Sequence, residues 1–410
     1  MEPRKLVQFL SGSLTVLAAT IFFLSAAHAA TPTTQTIYTF AGGRDGEYLD
    51  TDLVMDKRGN LFGTTVQGGA GSGTIFRLSP TATGWKHAVL YKFTGGHDGG
   101  EAYKGVTLDS KGNLYGTTVA GGNPVCGCGV IYKFSRSTGK WVLTVLHTFR
   151  GTDGAGPGSP VILDNAGNIY GMAPTGGAFG FGVVFRLKPL ANGTWAFRIL
   201  HNFLGGTDGA SGSAGRLIFD ANGNLFGVST AGGTAGAGVA WELSPTRSGE
   251  WTETILHEFG GQPDAVFPYG GLIFDAAGNL YGTSYYGGAT NWGAVYKLTN
   301  TNGTWTESVL YSFAGGSDGA NPVSTLLPDS TGRHFYGTNS TGGAACGCGT
   351  IFRVNLHTDG TATETVLHRF VDSAGGSPYN TLVPDSLGNL YGTLAHGGTN
   401  GDGAIFKFTP

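Results

Sequence analysis

From Gln35 onward the chain alternates short apolar and polar runs and never sustains the 3.6-residue spacing of an amphipathic helix. Runs of four to nine residues, rich in β-branched and aromatic side chains and bounded by Gly, Asp and Asn, read as strands joined by turns. Four such runs recur in a fixed order. The first ends in Asp, as in Leu272-Ile273-Phe274-Asp275, and two variable residues and a Gly follow it. The second is Gly-Asn-Leu-Tyr-Gly-Thr, seen at Gly112–Thr117. The third is Gly-Thr-Ile-Phe-Arg-Leu at Gly73–Leu78, and the fourth is led by Trp and closed by Phe, as in Trp305–Phe313.

The Gly after the aromatic of the second run falls at 63, 116, 171, 227, 282, 337 and 392, so the unit is 53 to 56 residues long and occurs seven times. Four short strands per unit, with turn chemistry between them, predict an all-β, seven-bladed β-propeller with four antiparallel strands per blade. The order of strands at the ends predicts closure. Gln35–Phe40 copies a fourth run and Gly403–Phe408 a third, so the N-terminal strand completes the C-terminal blade and removes the open edges that promote aggregation. With the Asp-ending strand innermost, both sets of Gly-rich loops share one face. These are the Gly-Gly-x-Asp-Gly links into each blade and the loops between second and third strands. Variable loops gathered on one rim are where ligand contacts usually sit.

Composition fits this reading. Gly supplies 74 of 410 residues, whereas Asp, Glu, Lys and Arg together supply only 12%. The near-balance of 24 basic against 27 acidic residues leaves no basic stripe for nucleic acid and no polybasic patch for anionic lipid. Residues 1–30 read as a signal peptide: Arg4 and Lys5 form the positive end, Leu14–Leu24 the apolar stretch, and Ala27-His28-Ala29 the processing site. The expected organisation is therefore a leader over 1–30 and one propeller over 31–410, secreted, periplasmic or at the cell surface. No membrane span is expected after cleavage, and the mature chain is expected to be a monomer.

The order Leu-Ile-x-Asp-x-x-Gly-Asn-Leu-Tyr-Gly-Thr-Thr, Gly-Gly, Gly-Thr-Ile-Phe-Lys-Leu, Trp and Val-Leu-His-x-Phe resembles the GloVer tandem-repeat family of exported and surface bacterial proteins across residues 35–410. That resemblance implies a propeller-type repeat and export, and carries no established activity or site residues. A weaker similarity of the Asp-x-x-Gly-Asn-Leu-Tyr element to NHL and gluconolactonase-like propellers supports the strand order and transfers no chemistry.

Candidate chemistry lies in repeated and unrepeated residues. Asp45, Asp98, Asp153, Asp208, Asp264 and Asp318 follow the fourth strand in six units. A Ca²⁺ reading is open to such carboxylates, but one copy per blade favours a tight turn in which Asp accepts from backbone N–H groups. The set Asp56, Asp109, Asp164, Asp220, Asp275, Asp329 and Asp385 is more regular still and reads as structural. His147, His201, His257 and His368 occupy one fourth-strand position, taken elsewhere by Tyr38, Tyr91 and Tyr311, each in a different blade; this favours packing over a metal. Cys126-Gly127-Cys128 and Cys346-Gly347-Cys348 favour a local disulfide within each triplet.

Departures from the repeat are where specificity is expected. Phe179 and Phe181 in the third unit, Tyr285, Tyr286 and Trp292 in the fifth, and Tyr269 and Tyr379 near the channel mouth suit sugar stacking or peptide contact. Asp50, Asp52, Lys104 and Arg216 are the plausible supply of an acid and a base. No zinc-protease helix or phosphate loop is present. The expected function is binding of a glycan or protein through the Gly-rich rim, without a cofactor. The alternatives are a hydrolase or lyase acting on a carbohydrate or lactone, and a structural envelope protein.

Overall fold

The structure, a computed structural model, describes residues 32–212, 215–371 and 375–410. The leader reading over 1–30 lies outside the described residues. Seven antiparallel sheets form the blades, numbered here by their first strand along the chain, with the C-terminal sheet as blade 7. Each has the order innermost, second, third, outermost. In blade 2 these strands are Val106–Leu108, Leu114–Thr118, Val130–Ser137 and Lys140–Thr148.

Blade 7 takes its outermost strand from the other end of the chain. Thr33 pairs with Thr409 and Thr39 with Ala404, so residues 33–39 close the ring. The innermost strands are shorter than the sequence suggests, only two residues in blade 1. In blades 4, 5 and 6 an extra segment, Ala210–Gly212, Ala265–Pro268 and Ala320–Pro322, pairs higher on the second strand. The prolines at 268 and 322 carry no N–H for the ladder, and the innermost strand breaks after them.

Seven apolar clusters hold the blades together, and each bridges two neighbours. Phe76 and Leu78 of blade 1, for example, pack with Tyr391 and Ile405 of blade 7. The closing Phe of the outermost strand is buried in every blade, at Phe40, Phe93, Phe149, Phe203, Phe259, Phe313 and Phe370. The Gly of Gly-Thr is required by a third-strand aromatic laid across it. A Cβ at Gly337 would meet Cζ of Phe352 at 2.4 Å, and one at Gly392 would meet Cζ of Phe406 at 2.4 Å.

The second Asp set closes the innermost hairpin. Asp275 accepts from the Ala277 and Asn279 N–H groups at 2.9 Å each, from the Asn279 side-chain amide at 2.7 Å and from the Tyr281 hydroxyl at 3.1 Å. Thus Asp, Asn and Tyr of the repeat form one hydrogen-bonded turn, and these bonds hold the Asp275 carboxyl below its ordinary range against burial. The Thr of Gly-Thr latches blades together. Thr64 donates to the Ala102 carbonyl at 2.7 Å, Thr283 to Ser324 at 3.0 Å, Thr338 to Asn380 at 3.3 Å and Thr393 to Thr51 at 3.0 Å, each in the next blade. In blades 3 and 4 this position is Met172 and Val228, which have no hydroxyl to donate.

Candidate functional site

The heads of the innermost strands converge on the channel from the Gly-rich face. That both loop sets share this face follows from bridges such as Glu47 with Gln67 and Gly376 with His396. Tyr48, Glu101, Phe267, Asn321 and Ser377 occupy equivalent link positions with φ between 54° and 59°. Each donates its N–H to a carbonyl in the preceding blade, as Tyr48 does to Asp402 and Phe267 to Ala237. Two-sided backbone anchoring holds side chains of different chemistry at one place on the rim, in a conformation non-Gly residues rarely adopt.

Lys104 enters the mouth from blade 2, also with positive φ, at 58°. Its ammonium lies 2.5 Å from Asp50 Oδ1, with the two side chains 7% and 12% exposed. Asn380, with its amide oriented to satisfy both ends, donates to Asp50 Oδ1 at 3.0 Å and accepts from Thr51 N–H at 3.0 Å. Burial disfavours the charge on Lys104, but Asp50, Tyr269 and Asp52 outweigh it and raise its pKa. One layer below, Asp52 accepts from Thr381 N–H at 2.9 Å. Burial raises the Asp52 pKa, opposed by Arg216 and Lys104. Asp52 and Arg216 then cap a channel of about 540 Å³ whose walls include Leu53, Leu108, Leu272 and Leu326.

A collar of half-buried tyrosines surrounds this ion pair. Lys104 Nζ sits 5.8 Å from the centre of the Tyr269 ring, which reaches in from blade 5. Tyr269 packs 6.1 Å from Tyr285, and Tyr285 4.7 Å from Tyr286. Tyr48 lies 6.4 Å from Tyr103 and 5.2 Å from His396. Tyr379 lies near enough to both Tyr48 and Tyr285 to act on them electrostatically. Burial first, then Asp50, pushes the Tyr48 hydroxyl up to about 12.

Of the residues singled out from sequence, Asp50, Asp52, Lys104, Arg216, Tyr269, Tyr285, Tyr286 and Tyr379 belong to this mouth. Phe181 and Trp292 instead lie over link glycines, within 2.9 Å of a Cβ on Gly205 and 3.1 Å of one on Gly315, and Phe179 is exposed. Tyr48 and Tyr103 were missed; the signal was an aromatic at link positions held elsewhere by Gly156 and Gly158. Both Cys-Gly-Cys triplets carry internal disulfides, Cys126–Cys128 and Cys346–Cys348.

The first Asp set does not gather into one carboxylate ring. Each Asp stays in its own link, where it accepts a backbone N–H three or four residues back, as Asp153 does from Arg150 at 2.7 Å, Asp45 from Ala41 at 3.0 Å and Asp264 from Gly260 at 2.7 Å. Its second partner is the His or Tyr of the preceding strand: Tyr38 and Tyr311 donate to Asp45 at 2.9 Å and Asp318 at 2.8 Å, and His147 Nε2 lies 3.0 Å from Asp153. The histidines do not meet one another, but two of them acquire a further carboxylate. Glu253 Oε2 lies 3.6 Å from His201 Nε2, and Glu307 Oε2 3.6 Å from His257 Nε2.

The sequence profile described as the Gloeobacter/Verrucomicrobia repeat matches residues 7–238 and 213–410. No curated protein matches the chain. Among solved structures, a Lactobacillus plantarum protein is similar at 15% identity and TM-score 0.56, over 86% of this chain and 99% of that one. A candidate 6-phosphogluconolactonase from Bacteroides uniformis is similar at 15% identity and TM-score 0.52, over 81% and 88%. The extracellular domain of a candidate one-component system from B. thetaiotaomicron is similar at 13% identity and TM-score 0.55, over 92% of this chain and 41% of that one. At such identities the likeness is one of fold. Among the described residues no helix is long and apolar enough to cross a membrane.

Proposed function

The chain belongs to the Gloeobacter/Verrucomicrobia repeat family, and from that premise we propose that it is an exported, non-catalytic propeller that binds a glycan at the tyrosine-lined mouth of its channel. The observation that supports this most is the pairing of charge beneath the aromatic faces. Lys104 and Asp50 neutralise each other at 2.5 Å, and Asp52 is tied to a backbone N–H. What faces outward is a dish of tyrosine rings and hydroxyls, the combination that stacks on a sugar ring and hydrogen-bonds its rim. Export rests on the leader read in residues 1–30 and agrees with the extracellular origin of one structural neighbour.

A glycan array probed with the purified protein tests the reading. Binding to a defined set of glycans, weakened at least tenfold by Tyr269→Ala or Tyr379→Ala with the fold intact, is the expected result. A second reading draws on Asp52, whose carboxyl is buried, raised in pKa and placed on the wall of the channel beside Arg216; such a group suits a general acid for a carbohydrate or lactone. Turnover of a polysaccharide or lactone that Asp52→Asn abolishes, with no glycan retained on the array, would replace the first reading with the second.

A further inference from the structure

Two seams between blades gather a histidine and two carboxylates. In the seam between blades 3 and 4, His201 Nε2 lies 3.2 Å from Asp208 Oδ1 and 3.6 Å from Glu253 Oε2. In the next seam, His257 Nε2 lies 3.4 Å from Asp264 Oδ2 and 3.6 Å from Glu307 Oε2. Within each trio the nearest ligand atoms all fall within 4.8 Å of one another. Around a tetrahedral Zn²⁺ with bonds of about 2.0–2.1 Å, neighbouring ligand atoms stand roughly 3.4 Å apart; the histidine-to-carboxylate separations of 3.2–3.6 Å bracket that edge.

The clusters are also unsatisfied as they stand. Oε1 of Glu253 is sealed from solvent and makes no hydrogen bond, and Nε2 of His201 and of His257, likewise sealed, face Asp208 and Asp264 at 3.2 and 3.4 Å without hydrogen-bond geometry. The Glu253 side chain is only 10% exposed and the Glu307 side chain 8%. Burying two carboxylates side by side is costly without a counter-charge. In the second seam, Ala265 N–H donates to Glu307 Oε1 at 3.2 Å and so turns Oε2 toward the histidine. The other seams fill this place differently: Phe197 stacks on His147 at 3.8 Å, and His87 on Tyr38 at 4.3 Å.

These same two seams are the ones that lack the threonine latch, since Met172 and Val228 stand where Thr64, Thr117, Thr283, Thr338 and Thr393 stand elsewhere. We propose that each of the two seams binds one divalent transition-metal cation, with Zn²⁺ the best fit, through His201, Asp208 and Glu253 in one and His257, Asp264 and Glu307 in the other, stapling blades 3, 4 and 5 at their outer edge. One nitrogen and two carboxylate oxygens leave a fourth position for water and neutralise a doubly charged ion. Ca²⁺, which takes six to eight oxygens, is poorly served by the set.

The test is metal counting on the purified full chain, stripped with EDTA, loaded with ZnCl₂, desalted and measured by inductively coupled plasma mass spectrometry. Two equivalents are expected in the wild type, one in Glu253→Gln, one in Glu307→Gln and none in the double variant, with circular dichroism showing each variant folded. A rise in Tm on adding ZnCl₂, absent from the double variant, is the second readout. Retention of no zinc, a zinc count unchanged by both substitutions, or two equivalents of Ca²⁺ held in preference to zinc would each overturn the proposal.

Discussion

Removing the charge from one end of the Lys104–Asp50 pair separates a self-neutralised binding floor from a pair of groups available for chemistry. The two atoms stand 2.5 Å apart with both side chains almost out of solvent. Lys104→Met strands a buried carboxylate whose other side-chain partner is the Asn380 amide; Asp50→Asn strands a buried ammonium. Each survivor keeps its desolvation cost, so each single change is expected to cost about 3–5 kcal/mol. The double change removes both charges and should cost no more than about 2 kcal/mol, which is a coupling of at least roughly 4 kcal/mol. For a propeller of about 380 residues, an unfolding entropy near 2.1 cal/mol/K per residue gives ~0.8 kcal/mol/K, so each single change lowers Tm by about 4–6 °C. The sign with pH follows from Lys104. Its pKa is raised above the unfolded value, so its contribution is fully present below the ordinary lysine range and is lost only as pH rises through the folded pKa. Thermal and urea melts of the four proteins at pH 7 and pH 9 should therefore give the same cycle. Additive single changes, with coupling under about 0.5 kcal/mol, would mean that the pair is not self-neutralised and would refute the reasoning.

Three further outcomes follow from the packing. Gly337→Ala places a Cβ 2.4 Å from Cζ of the buried Phe352 ring and should cost about 1–3 kcal/mol in a urea melt, part of it recovered in the Gly337→Ala/Phe352→Leu double variant. Deleting residues 33–39 bares the edge at 404–409, so size-exclusion chromatography should show oligomers and a lowered Tm; a monomer with unchanged Tm would contradict closure. Burial first, then Asp318, pushes the Glu364 carboxyl up to about 8 from an ordinary value of 4.5. The native state thus holds a proton that the unfolded chain has lost, and stability should fall as pH rises from about 5 to 8, a slope that Glu364→Gln should flatten in melts across that range.

The blades were legible because a propeller writes its period into the chain. The recurring Gly at 63, 116, 171, 227, 282, 337 and 392 and the copy of a fourth strand at residues 35–40 were enough for seven blades and their closure. The first Asp set was also readable as turn chemistry, since each link repeats it. What sequence reasoning missed were meetings between units. Nothing local shows that the residue two after Trp251 or Trp305 faces the His of the preceding blade, because strand order gives the neighbour but not the height at which side chains meet. The Gly of Gly-Thr was likewise noted for its period, whereas its cause is an aromatic on the adjacent strand.

The candidate site arises where the seven-fold pattern is broken at one level of the ring. Twelve residues before that Gly, or thirteen in blade 6, the chain carries Thr51, Lys104, Ser159, Gly215, Gly270, Ser324 and Asn380. Six are small or short, and only Lys104 is long enough to cross the mouth. The two glycines are required on the opposite side: a Cβ on Gly215 would stand 2.5 Å from Gly271 N, and one on Gly270 would stand 2.5 Å from the Ser324 carbonyl oxygen. Blades 4, 5 and 6 therefore close up backbone to backbone. Tyr269, next to Gly270, thereby comes within 5.8 Å of the Lys104 ammonium. A perfectly repeated ring would present seven equal side chains and select nothing. One long cation on one side and two missing side chains on the other turn a symmetric opening into a directional one, and the proposed glycan is expected to lie across the axis from blade 2 to blade 5.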